Sequence, residues 1–207
     1  MYSYRIDMIQ AGVVAVQGDV SEHAAGIRRA GESHNVSVEI VEIRQSGVVP
    51  DCDVLLLPGG ESTAISRLLN REGIDTEIQS HVEAGKPVLA TCAGLIVAAR
   101  DAKDDRVDTL NIIDVTVDRN AFGRQVDSFE APLSVDGLDD PFPAVFIRAP
   151  VIDAVGEDAT VLARWDDHPV AVQDGAVVAT AFHPELTPDN RIHDLAFFAN
   201  QNDSIDT

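Results

Sequence analysis

Cys92 stands in Ala90-Thr91-Cys92-Ala93-Gly94, between the short apolar run Pro87-Val88-Leu89-Ala90 and a segment with helical character. A nucleophile at such a strand-to-helix turn is presented on a crowded, strained backbone that demands small neighbours. Ala93 and Gly94 meet that demand, and the amides opening the helix stabilise negative charge on the sulfur. His183-Pro184-Glu185 ends another apolar run, Val177 to Phe182. Residues i and i+2 of an extended segment face one way, so His183 and Glu185 can share a side. A carboxylate beside an imidazole fixes its tautomer and steadies the imidazolium formed when a thiol is deprotonated. The three residues together suit attack on a small amide, with Cys92 as nucleophile, His183 as base and Glu185 as its orienter.

Pro58-Gly59-Gly60-Glu61-Ser62 is a third candidate segment, again between a buried strand and a helix. Its glycines let the backbone approach a ligand, and its N–H groups suit an oxyanion. It lacks the Gly-Lys-Ser/Thr ending of a phosphate loop. Cys52, in a Pro-Asp-Cys-Asp loop, reads as structural. His23, His34, His81, His168 and His193 fall on helices or loops and receive no role from their context.

The elements that must position these groups alternate. Strands are predicted at 12–16, 36–43, 54–57 and 87–90, with the first ending in Gln17-Gly18. Helices are predicted at 20–34, from a cap at Ser62 or Thr63 to about 71, at 74–84 with Gly85 as the stop, and at 93–102. The second half reads as strands at 112–118, 144–148, 160–164, 170–173 and 176–182, with a closing helix at 189–201. This pattern implies an α/β fold: a mainly parallel sheet with helices on both faces and added antiparallel strands. Ligands in such sheets bind at the carboxyl ends of strands, where the loops at 58–62, 91–94 and 183–185 fall. One domain over 11–200 is expected, with an extension at 1–10 and a tail at 201–207.

The chain has 207 residues, 35 acidic against 15 basic, and a net charge of −20. Such a surface repels phosphate backbones and disfavours nucleic acid. The acidic residues are dispersed, which suits a solvated face adapted to high salt, where screening removes self-repulsion. The fold is therefore expected to loosen at low ionic strength, read as a melting temperature that rises with salt. Two cysteines without a secretory signal predict free thiols in a reducing, cytoplasmic compartment. No cysteine or histidine spacing suggests a structural metal.

The stretches GVVAVQGDVSEH, LLLPGGEST, TCAGLI, DVTVDRNAFGRQVDSFE, VFIRAP and FHPELT together resemble the class I, triad-type glutamine amidotransferases. The chain is most similar to the glutaminase subunits of the two-component pyridoxal 5′-phosphate synthases. The resemblance spans Gly12 to Phe198. It implies that Cys92 forms a glutamyl thioester and releases ammonia, with His183 as general base and acid and Glu185 behind it. Gly60, Glu61 and Ser62 would hold glutamine, joined by Arg119, Ile147 and Arg148, with Gly60 and Ala93 at the oxyanion. A guanidinium suits the substrate α-carboxylate, although either arginine alone would read as a surface ion pair. Asn120 to Gln125 would shape the site wall or the partner contact. The implied partner is the synthase subunit that receives the ammonia, and the implied chain needs no metal and no cofactor. Ala90 departs from the family's usual glycine two residues before the cysteine.

Three rival readings stand beside this one. A glutaminase feeding another acceptor usually carries glutamine where this chain has Ile96. A cysteine amidase or peptidase on a related fold would cleave peptides. A non-catalytic scaffold would not need an intact Cys, His and Glu set.

Overall fold

The computed structural model describes residues 8–17, 20–119 and 128–199. Its first half runs β1 (Met8–Val14), α1 (Val20–Ser33), β2 (Ser37–Ile43), β3 (Val54–Leu57), α2 (Ser62–Glu72), α3 (Ile74–Glu83), β4 (Val88–Thr91) and α4 (Ala93–Ala98). Then follow β5 (Ala99–Asp101), β6 (Ile113–Asp118), β7 (Phe129–Leu133), β8 (Phe142–Phe146), β9 (Val151–Val155), β10 (Thr160–Trp165), β11 (His168–Asp174), β12 (Val177–Thr180) and α5 (Arg191–Phe197).

The main sheet has the order β10-β11-β12-β4-β3-β1-β2. Strands β2, β1, β3, β4 and β12 are mutually parallel, and β11 and β10 extend the sheet antiparallel. The sequence of the central strands explains their place. Val54-Leu55-Leu56-Leu57, Val88-Leu89-Ala90-Thr91 and Val177-Val178-Ala179-Thr180 are buried at every position. Strands covered by helices on both faces read as continuous apolar runs, and each fully buried leucine contributes about 1.5–3 kcal/mol. The antiparallel extension is made by a hairpin at Asp166-Asp167, where both φ angles are positive, at 47° and 64°. That geometry gives the turn a twist matching the paired strands. The remaining strands form small sheets, β5-β6-β9 and β7-β8. The architecture is the expected α/β one.

Several boundaries differ from expectation. The strand predicted from Gly12 begins at Met8, because Met8 to Gln10 pair in register with Ser37 to Glu39; it ends at Val14, and Gly18 lies outside the described residues. The helix predicted over 93–102 stops at Ala98. Leu110 and Ile112 donate their amides to the carbonyls of Val97 and Ala98, and the chain leaves as β5. The cap of α2 is neither Ser62 nor Thr63 but Glu61, whose carboxylate accepts from the amides of Thr63 and Ala64. The strand predicted at 144–148 occupies Phe142–Phe146, and the chain turns at Arg148, φ 43°. The closing helix is limited to Arg191–Phe197. No helix among the described residues is long and apolar enough to cross a membrane.

Candidate active site

The carboxyl ends of β3, β4 and β12 converge on one point. Cys92 directly follows β4 and its amide donates to Thr180 O at 2.8 Å, tying the elbow to β12. Its φ of 51° is a left-handed conformation that a residue with a Cβ adopts only under constraint. Gly94 shows the constraint: an ideal Cβ built there would lie 2.1 Å from Leu57 O. The turn into α4 thus packs its backbone directly on the end of β3, which only glycine permits.

His183 follows β12 after Ala181 and Phe182, and its amide is held by Val145 O of β8 at 2.8 Å. Its Nδ1 lies 2.7 Å from Glu185 Oε1, with both side chains buried. The other side of the ring faces the Cys92 thiol, which raises the imidazole's pKa. Gly59 marks the same meeting point: a Cβ there would sit 2.9 Å from His183 Cε1 and 3.5 Å from Cys92 Cβ. Burial pushes the His183 imidazole down, but its hydrogen bonds to Cys92 and Glu185 and their charges outweigh burial and raise its pKa to about 10. Burial likewise pushes Glu185 up, and the nearby His23 and His183 bring it below its ordinary value. The arrangement can take a proton from the thiol, hold it as imidazolium and return it to a leaving group.

The remaining predicted residues gather in two groups. Arg119 Nη1 donates to Ser62 Oγ at 3.0 Å and Thr63 Oγ1 at 3.3 Å, and Nη2 lies 3.6 Å from Glu61 Oε1. Asp104 flanks the same guanidinium at 3.5 Å from Nε. Glu61 is thus occupied as the α2 cap and arginine partner, and hydrogen bonds from Thr63 and the α2 amides hold its carboxyl below the ordinary value. Gly60 has φ 143°, a glycine conformation, and the next amide, Glu61 N, donates to Gln17 Oε1 at 2.8 Å. In the second group, Ile147 O lies 3.9 Å from Cys92 Sγ, and the adjacent Arg148 is exposed. Ala93 is buried at the first position of α4. Residues 120–125 lie outside the described residues.

A family model for the SNO glutamine amidotransferase family matches residues 13–202. The chain belongs to that family. A "Pyridoxal 5′-phosphate synthase subunit PdxT" from Haloquadratum walsbyi is 90% identical over 200 residues, covering 97% of this chain and 98% of that one. The protein of the same description from Halobacterium salinarum (strain R1) is 77% identical, covering 92% and 94%. A crystal structure described as a glutamine amidotransferase superposes with a TM-score of 0.79 at 42% identity, covering 90% of this chain and 96% of that one. The fold is therefore that of the class I glutamine amidotransferases.

Two histidines beside these residues receive no role from the sequence. His23 and His193, assigned no role from their context, are both fully buried, and His23 Nε2 reaches within 3.5 Å of Glu185 Oε1. The available signal was that His23 ends the QGDVSEH stretch. Gln17, which holds the Glu61 amide, begins it.

Glu185→Gln should lower glutamine turnover by about 10³-fold, since an amide can hold the imidazole in the wrong tautomer. It should also change the pH dependence of stability. A histidine with a raised folded-state pKa contributes stability that is complete below its unfolded value, near 6.5, and lost as pH rises through about 10. Urea melts from pH 6.5 to 10 should show that decline in the wild type and a flatter one in Glu185→Gln.

Proposed function

We propose that this chain hydrolyses L-glutamine to L-glutamate and ammonia, and that it passes the ammonia to the synthase subunit of a pyridoxal 5′-phosphate synthase. The observation that carries the reading is the cluster of Cys92, His183 and Glu185 at the carboxyl ends of β4 and β12: His183 Nδ1 lies 2.7 Å from Glu185 Oε1, and the ring and Cys92 both border Gly59. Cys92 gives its proton to His183 and attacks the side-chain carbonyl carbon of glutamine. The tetrahedral oxyanion is met by backbone N–H groups of the Gly60 and Ala93 region. His183 returns the proton to the leaving nitrogen, ammonia departs, and a glutamyl thioester remains on Cys92. Water, deprotonated by His183, then attacks the thioester; glutamate leaves and the thiol recovers its proton.

Gly60, Ser62 and Arg119 form one wall for the substrate, with Glu61 holding the start of α2. Ile147 and Arg148 form the opposite wall, and the exposed Arg148 guanidinium is suited to the glutamine α-carboxylate. Residues 11–200 act as one glutaminase domain, flanked by 1–10 and 201–207, with Met8 to Gln10 contributing to its first strand. The enzyme works in the cytoplasm, a placement supported by its two free cysteines. Releasing ammonia without an acceptor would waste it, so docking of the synthase subunit is expected to complete the site. Mixing the two subunits should raise glutaminase kcat at least about tenfold over this chain alone. Equal stimulation by the synthase partners of other amidotransferases, and none by this one, would contradict the assignment.

A further inference from the structure

Behind the triad lies a second buried layer that the reaction as written does not use. His23, on α1, is fully buried. Its Nε2 lies 3.1 Å from Thr91 Oγ1 and 3.5 Å from Glu185 Oε1, the same oxygen that His183 Nδ1 reaches at 2.7 Å. Thr91 is the residue before the nucleophile. The contacts therefore close a ring: Thr91 to His23, His23 to Glu185, Glu185 to His183, and His183 back to Cys92. Across the His23 ring stands His193 of α5, also fully buried, with centroids 6.2 Å apart and planes at 61°. Helix α1 packs on α5 and on the 184–186 turn that carries Glu185. The other charged groups near this layer are Glu22 and Arg29, both on α1.

We propose that His23 is a positioning residue for glutamine hydrolysis: its Nε2–H, shared between Thr91 Oγ1 and Glu185 Oε1, holds the ionised carboxylate in line with His183 Nδ1. The need follows from burial. A carboxylate withdrawn from water and supported from one side only is free to rotate or take up a proton, and in either state it stops orienting the imidazole. A second donor removes both options. Using the nucleophile's own neighbour as the other anchor ties α1, β4 and the 184–186 turn into one rigid unit, so carboxylate and thiol keep their relative positions. Burial, and then the nearness of His23, lowers the pKa of His193 to about 3. His193 therefore packs against His23 without competing for the carboxylate.

The proposal deepens the glutaminase reading and rests on it. The test uses the reconstituted complex with the synthase subunit and compares wild type, His23→Leu and His23→Gln. Wild-type turnover checks the reading itself. If His23 positions Glu185, His23→Leu lowers kcat at least about tenfold with KM within about twofold. It also moves the acid limb of the kcat–pH profile upward by about one unit, because the carboxyl loses a donor to its charged form. Glutamine's amide Nε2 can occupy the place of the imidazole Nε2, so His23→Gln should recover most of the turnover and return the acid limb. A purely structural His23 gives the contrary pattern: a lower melting temperature, with kcat per folded molecule and the acid limb unchanged in His23→Leu. That pattern in an active wild-type background would overturn the proposal. If His23→Leu does not fold, His23→Met, whose flexible chain fills irregular gaps, replaces it with the same expectations.

Discussion

Replacing Cys92 with alanine should lower glutamine hydrolysis by the reconstituted complex at least about 10⁴-fold, because no other group can form the thioester. The loss should be chemical and not structural. Alanine keeps the Cβ and accepts the same φ of 51°, so the constraint on the elbow is unchanged. Only the sulfur goes, from a side chain already in contact with His183 and Ile147 O. The melting temperature should move by no more than a few degrees. Ammonium salt supplied to the Cys92→Ala complex should restore product formation, since the synthase subunit then has its nitrogen donor from solution. Glutamine-dependent turnover within tenfold of wild type would exclude the thioester route.

Gly94→Ala should have the largest effect on stability. The added methyl would meet Leu57 O at 2.1 Å and Pro58 O at 3.1 Å. Both are backbone atoms at the end of a central, fully buried strand, so no side-chain rotation can relieve the overlap. Either β3 or the start of α4 must shift in a close-packed core, at a cost of about 3 kcal/mol or more. Urea melts in concentrated salt would measure it. Because the shift falls on the residues beside Gly59 and Cys92, activity should fall further than stability explains. A variant as stable as wild type would mean that this turn is looser than the backbone contact implies.

The parallel half of the fold was legible because its information is local. Val54 to Leu57 and Val88 to Thr91 are apolar throughout, and Pro58-Gly59-Gly60 and Gly85 punctuate them. The three candidate residues were legible for the same reason, since His183 and Glu185 are neighbours and the segment around Cys92 is contiguous. What escaped was decided at a distance. Met8 to Gln10 become strand only because Ser37 to Glu39 offer edges to pair with. Strand β7 alternates in burial but contains Pro132, which argues against a strand, and β9 exposes Asp153 and Ala154 in succession; each exists through its partner, β8 or β6. Glu61 caps α2 because the helix already begins at Ser62, while Arg119, directly after β6, donates to the hydroxyls of Ser62 and Thr63. His23 joins the site through tertiary packing across 162 positions of chain to Glu185, which no local spacing can show.

Everything rests on Cys92, 9% exposed, being a reachable, base-activated thiol while the fully buried Cys52 is inert. The two differ physically. Burial raises the Cys52 thiol to about 11, and its Sγ lies 3.5 Å from Val48 O, whereas Cys92 stands beside the His183 imidazole. Incubating the complex with a glutamine-like electrophile and mapping the adduct by mass spectrometry reads this difference directly. One adduct on Cys92, blocked by excess glutamine and lost in His183→Ala, is expected. Labelling of Cys52, or of Cys92 at an unchanged rate without His183, would contradict it.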